Sequence, residues 1–103
     1  MRIEIKGEGT ISPQARTYAE YRVFAALTQF SEADKVRRVR VLLRPVKLGR
    51  GCEGIACTVT VWLEGLEPFR IRTTASHAYA AINRAVERIR ANATTGMVDR
   101  VSV

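Results

Sequence analysis

The sequence predicts an α+β domain of order β-α-β-β-β-α, a four-stranded mixed sheet with two helices packed on one of its faces. Three observations carry this. Four short segments alternate apolar and polar residues, two longer ones repeat apolar residues every three or four positions, and glycine, proline or short polar stretches separate them. At 103 residues the chain fits one domain with one core. Its 47% hydrophobic and 26% charged residues are those of a globular protein rather than a disordered one.

The first strand is Arg2 to Lys6, with Ile3 and Ile5 on one face and Arg2, Glu4 and Lys6 on the other. Gly7 and Gly9 end it, and Ser12-Pro13 supplies a cap followed by proline at the first helical position. Ala15, Tyr18, Ala19, Val23, Ala26, Leu27 and Phe30 then form the apolar stripe of a helix of about five turns. After polar Ser31 to Lys35, Val39, Val41 and Leu43 alternate with Arg38, Arg40 and Arg44 in a second strand, which Pro45 is expected to cut short. Gly49, Arg50, Gly51 and Gly54 read as a loop.

Cys57, Val59, Val61 and Leu63 alternate with Thr58, Thr60 and Trp62 in the third strand, and β-branched residues favour that state. Beyond Gly65, Phe69, Ile71, Thr73 and Ala75 alternate with Arg70 and Arg72 in the fourth. Ser76 or His77 opens a second helix with the stripe Ala78, Ala81, Ile82, Ala85, Val86 and Ile89, ending near Gly96. The domain thus spans 1–95, and Val98, Val101 and Val103 read as a short extra edge strand or a surface tail over 96–103. Two one-sided helices bury their stripes together only on one face of the sheet. A helical crossover makes the first two strands parallel and right-handed in connection, and the rest are hairpins.

Charge points to the partner. Seventeen Lys plus Arg against ten Asp plus Glu leave +7, and fourteen of the seventeen are arginine. Guanidinium is a planar, weakly hydrated fork suited to phosphate, so a polyanion is the expected partner and nucleic acid the favoured one. Period-two geometry gathers Arg2, Lys6, Arg38, Arg40, Arg44, Arg70 and Arg72 on the open face with Thr58, Thr60 and Trp62, offset chiefly by Glu4. Trp62 reads equally as a stacking platform for a base and as cover for arginine stems at a homodimer contact. Arg16, Arg22, Arg84, Arg88 and Arg90 form a second basic set on the helices.

Other functions find little support. The lone His77 with Cys52 and Cys57 cannot supply a four-ligand zinc site, so no metal or other cofactor is expected. No glycine-rich phosphate loop is followed by Lys-Ser or Lys-Thr, and no serine or cysteine has a base adjacent in sequence, so the chain reads as a binding protein and not an enzyme. No apolar run approaches the ~20 residues of a membrane span and the first residues lack a signal peptide's apolar stretch, which places the chain in the cytosol as an expectation.

The order of elements, together with Arg2-Ile3-Glu4-Ile5-Lys6-Gly7 and Ala78-Tyr79-Ala80-Ala81-Ile82-Asn83, resembles the ribosome hibernation-promoting factor family, which includes the ribosome-associated inhibitor. The similarity runs diffusely from residue 2 to about 92. It implies the same fold and binding to ribosomal RNA of the small subunit, in the channel of messenger and the A- and P-site transfer RNAs, where occupancy silences translation under stress or starvation. It also implies RNA-facing roles for Arg22 and Arg88, and a core-anchoring role for Tyr79. The chain departs from the family in Val23-Phe24-Ala25-Ala26-Leu27-Thr28, where members carry lysines, in His77 in place of an acid, and in a second helix that ends in Ala91-Asn92-Ala93-Thr94-Thr95. The C-terminal dimerisation domain of the long members has no counterpart, so dimerisation of ribosomes by that domain is not expected. A homodimer or partner-binding module using the arginine-rich sheet face around Trp62 is the alternative function.

Overall fold

In the computed structural model the strands are β1 (Arg2–Gly7), β2 (Val36–Gly49), β3 (Cys52–Leu63) and β4 (Phe69–Ala75), and the helices are α1 (Pro13–Leu27) and α2 (Ala78–Ser102). The structure describes residues 1–9 and 11–92 with their side chains, so the strand or tail expected over 96–103, and the end of α2 expected near Gly96, lie outside the described residues. The predicted order β-α-β-β-β-α holds. The sheet runs β1-β2-β3-β4, with β1 parallel to β2 and the other pairs antiparallel.

Both helices cover one face. Ile3, Val39, Val61 and Phe69 stand in one cross-strand row and Ile5, Val41, Val59 and Ile71 in the next. On them α1 lays Ala19, Val23, Ala26 and Leu27, and α2 lays Ala81, Ile82, Ala85, Val86 and Ile89, all fully buried in one continuous core. α1 sits against β1, and α2 against β3 and β4. Ser12 caps α1 by accepting from the Ala15 amide at 3.1 Å. His77, one of the two residues expected to open α2, does so in the same manner, its Nδ1 accepting from the Ala80 amide at 3.3 Å.

Three expectations are corrected. α1 stops at Leu27, four turns rather than five, and Phe30 is buried from the turn that follows, where it meets Phe69 with ring centroids 5.7 Å apart. β2 does not stop at Pro45, which pairs with Ile55 inside the ladder. β1 ends opposite Leu43, so the missing proline N–H falls on a side where the described residues offer no strand to receive it. Consequently the expected Gly49 to Gly54 loop is a two-residue connection, Arg50 and Gly51, at the tip of a hairpin arm that outruns both edge strands. Gly51 takes φ +65° there. Gly54 is required for space: a Cβ would lie 2.5 Å from the Ala75 carbonyl oxygen and inside the Leu48 side chain.

A register shift between Val36 and Arg38 reverses the alternation once, which turns both Val36 and Val39 to the core and leaves Arg37 outside, paired with Glu64 at 2.7 Å. The two cysteines differ in the same core-or-surface sense. Cys52 is exposed on the arm, whereas burial among apolar neighbours pushes the Cys57 thiol up from an ordinary 9.0 to about 12. In the native chain a maleimide therefore labels one thiol, and after denaturation two. The unfolded thiol ionises near pH 9 while the folded one keeps its proton, so this group's contribution to stability falls as pH rises from 9 toward 12. Equal labelling of both thiols before denaturation would contradict the burial of Cys57.

Candidate nucleic-acid interface

The open face of the sheet is set by register. Arg2, Arg38 and Trp62 make one cross-strand row; Glu4, Arg40, Thr60 and Arg70 the second; Lys6, Leu42, Thr58 and Arg72 the third. Arg44 continues β2 beyond them. All seven basic residues expected on this face are there, together with Trp62. Directly opposed like charges are destabilising by a few tenths of a kcal/mol or more, and two acids relieve part of the load. Arg38 Nε donates to Glu4 Oε1 at 2.7 Å, and Arg44 Nε lies 3.2 Å from Glu8 Oε2. The Arg38 hydrogen bond, more than the charges of Arg38, Arg40 and Arg2 around it, holds the Glu4 carboxyl below its usual pKa.

Trp62 does not present a bare ring. The Arg38 guanidinium stacks over it at 4.9 Å from the centroid, and that of Arg40 stands at 6.0 Å. The ring is thus flanked by two guanidinium groups.

Between Trp62 and Arg72 lies a groove of about 370 Å³, lined by Arg40, Leu42, Thr58, Thr60, Trp62, Arg70 and Arg72, with Arg44 at its end. Arg70 Nε donates to Thr60 Oγ1 at 3.3 Å. Arg40 Nε is shielded from solvent and has no acceptor among the described residues.

The helical arginines do not form one flank. Arg16 lies at the β1 side, where its Nε would stand 3.1 Å from a Cβ on Gly7. Arg22 sits over the Tyr18 ring at 6.0 Å with its Nε shielded, and Arg90 is half-buried too. Arg84 and Arg88 turn to the outer edge of β4. Among the described residues that strand pairs only with β3, so carbonyls on its free side need donors. Arg84 Nη1 donates to the Thr74 carbonyl at 2.8 Å and Arg88 Nη1 to that of Arg72 at 3.3 Å. Arg84, Arg88 and Glu87 share one hollow with Arg72, and Arg88 shares another with Arg70 and Asn92. The two basic sets seen as separate in the sequence are thus joined around the β4 edge.

Tyr79 is corrected. It is 41% exposed, not a core anchor, and packs against Tyr18 with centroids 4.9 Å apart in a hollow shared with Tyr21. Tyr18 takes the anchoring hydrogen bond instead, its hydroxyl donating to Asn83 Oδ1 at 2.6 Å. Sequence reasoning also passes over Lys47 and Arg50, which the extended arm carries into solvent. The signal for them is the alternation of Val46 and Leu48 with Lys47 up to Gly49-Arg50-Gly51.

Among the described residues no three His, Cys, Asp or Glu side chains gather as a metal site requires, and no helix is long and apolar enough to cross a membrane. No family model and no curated protein matches the chain. Among solved structures, a protein described as a ribosomal subunit interface protein from Coxiella burnetii superposes with a TM-score of 0.71, covering 95% of this chain and 99% of that one at 14% sequence identity. At that identity the likeness is one of fold.

Proposed function

We propose that the chain is a non-catalytic ribosome-associated factor of the hibernation-promoting type, which binds RNA of the small subunit electrostatically and inhibits translation by occupying the messenger and transfer-RNA channel. The observation that carries this is the arginine belt running from the sheet face round β4 to Arg84 and Arg88, on a fold shared from end to end with a ribosomal subunit interface protein. Arginines spread over a shallow surface suit a phosphate backbone, which is read by shape and charge rather than by base. The homodimer through the sheet face is the weaker reading. It would set Arg2, Lys6, Arg38, Arg40, Arg44, Arg70 and Arg72 against their own copies, with only Glu4 and Glu8 among the described residues to offset them.

Each arginine engaging a phosphate releases counterions, so affinity falls linearly on a log–log plot against salt. Cosedimentation with isolated small and large subunits across a salt series tests the proposal. Binding to the small subunit that weakens steeply with salt is expected. Absence of binding at low salt, or binding indifferent to salt, would overturn it.

A further inference from the structure

We infer that the groove on the open face of the sheet is a seat for the phosphates of an RNA chain, additional to the Arg84 and Arg88 surface with which it shares Arg72, so that the domain meets RNA on both sides of β4. The inference rests on the RNA-binding reading above and assigns a ligand to a face on the far side of the sheet from the helices.

Of the seven cations of the face, Arg2 and Lys6 do not line the groove, and the other five divide into two kinds. Arg38 and Arg44 have carboxylate partners in Glu4 and Glu8, and Arg38 also lies on the indole. Arg40, Arg70 and Arg72 have no carboxylate within ion-pair distance among the described residues, and all three line the groove beside the Thr58 and Thr60 hydroxyls. Arg40 is the most telling. Its Nε is shielded from solvent and lacks an acceptor among the described residues, so contact with an anion in the groove falls to the terminal nitrogens of its guanidinium, which no carboxylate neutralises. Glu4, its cross-strand neighbour, already accepts from Arg38 through Oε1.

Spacing favours a chain over a free anion. Arg70 and Arg72 project from the same face two residues apart on β4, about 7 Å along the strand, which is comparable to the step between successive phosphates of an extended nucleic-acid strand. Arg40 lies across the groove from Arg70 in the row that contains Thr60. A single small anion reaches part of this set, whereas a phosphodiester chain laid along β4 reaches all of it. The groove is floored by β2 and β3, central strands whose amides are engaged in the ladders, and the Trp62 ring carries Arg38. Recognition therefore falls to guanidinium groups on phosphate, without base stacking.

Trp62 is the only tryptophan of the chain and lines this groove, so its emission reports occupancy directly. The test titrates the full chain at low salt with an oligouridylate, with inorganic pyrophosphate and with a polyglutamate peptide, and repeats the first titration on Arg40→Gln and on Arg70→Gln. Because Arg70 is exposed, its variant guards against misreading a folding defect in Arg40→Gln.

A saturable change in emission with oligouridylate is expected, weakened about tenfold in each variant, with pyrophosphate and polyglutamate clearly weaker. In subunit binding, each variant should lower the salt slope by about 0.7 to 0.9. Unchanged emission with oligouridylate, equal affinity in the variants, or a preference for pyrophosphate or polyglutamate would each overturn the inference. If subunit binding persists undiminished in the variants, the sheet seat falls and the ribosomal reading stands. If the native chain ignores the subunit, the ribosomal reading falls, and the oligouridylate titration judges the groove by itself.

Discussion

Replacing Arg84 and Arg88 by glutamate should weaken binding to the small ribosomal subunit by about 100-fold or more, since each charge-assisted hydrogen bond contributes about 1.5–3 kcal/mol. The two side chains are exposed and held along the β4 edge by the Thr74 and Arg72 carbonyls, so they are presented in a fixed direction. Reversal also removes those two bonds, and the pair Arg84→Gln with Arg88→Gln separates the effects by keeping an amide donor while discarding the charge. The glutamine pair should lose affinity less steeply and lower the log–log salt slope by about 2. Arg22 is a poorer probe than its place in the family pattern suggests. Its shielded Nε over Tyr18 means that a glutamate there would place a carboxylate beside the helix packing and disturb folding along with binding. Wild-type affinity in the Arg84 and Arg88 double reversal would remove the β4 edge from the interface.

The second large effect is on stability. Ile82 is fully buried where α2 crosses the sheet, in the same core as Val23 of α1 and Val59 and Ile71 of β3 and β4. Ile82→Ala should cost about 2–5 kcal/mol, a large share of the roughly 5–15 kcal/mol that holds a domain of this kind together. Each kcal/mol lowers the melting midpoint by roughly 4–8 °C. Denaturant unfolding should show a lower midpoint with an unchanged slope. A loss below about 1 kcal/mol would mean that α2 is not docked through this residue.

The faces of the strands are legible in the sequence, because alternation is a geometric necessity of extended chain: position alone puts Arg38, Arg40, Arg70 and Arg72 on the open face, and the strand register agrees for each. The helix stripes are legible for the same reason, at period 3.6. Pro45 misleads because its cost depends on whether a strand lies on its N–H side, and that depends on where β1 ends. Tyr79 misleads because the stripe of α2 runs through Ala81 and Ile82, which leaves the tyrosine beside Tyr18 at the rim. The division of the helical arginines is hidden in the sequence for a related reason. What draws Arg84 and Arg88 aside is a pair of carbonyls on the free side of an edge strand, a property of the assembled sheet and of no residue by itself.

On the function proposed above, the groove and the β4 edge together contact RNA by charge and the domain acts by being in the way. That claim is tested most directly by competition on the isolated small subunit, with labelled messenger and transfer RNA prebound and the chain titrated in at low salt. The account predicts displacement of both, with a midpoint that tracks the chain's own affinity and shifts upward with salt and with Arg84→Glu and Arg88→Glu. Simultaneous binding of the chain, messenger and transfer RNA at saturation would contradict it.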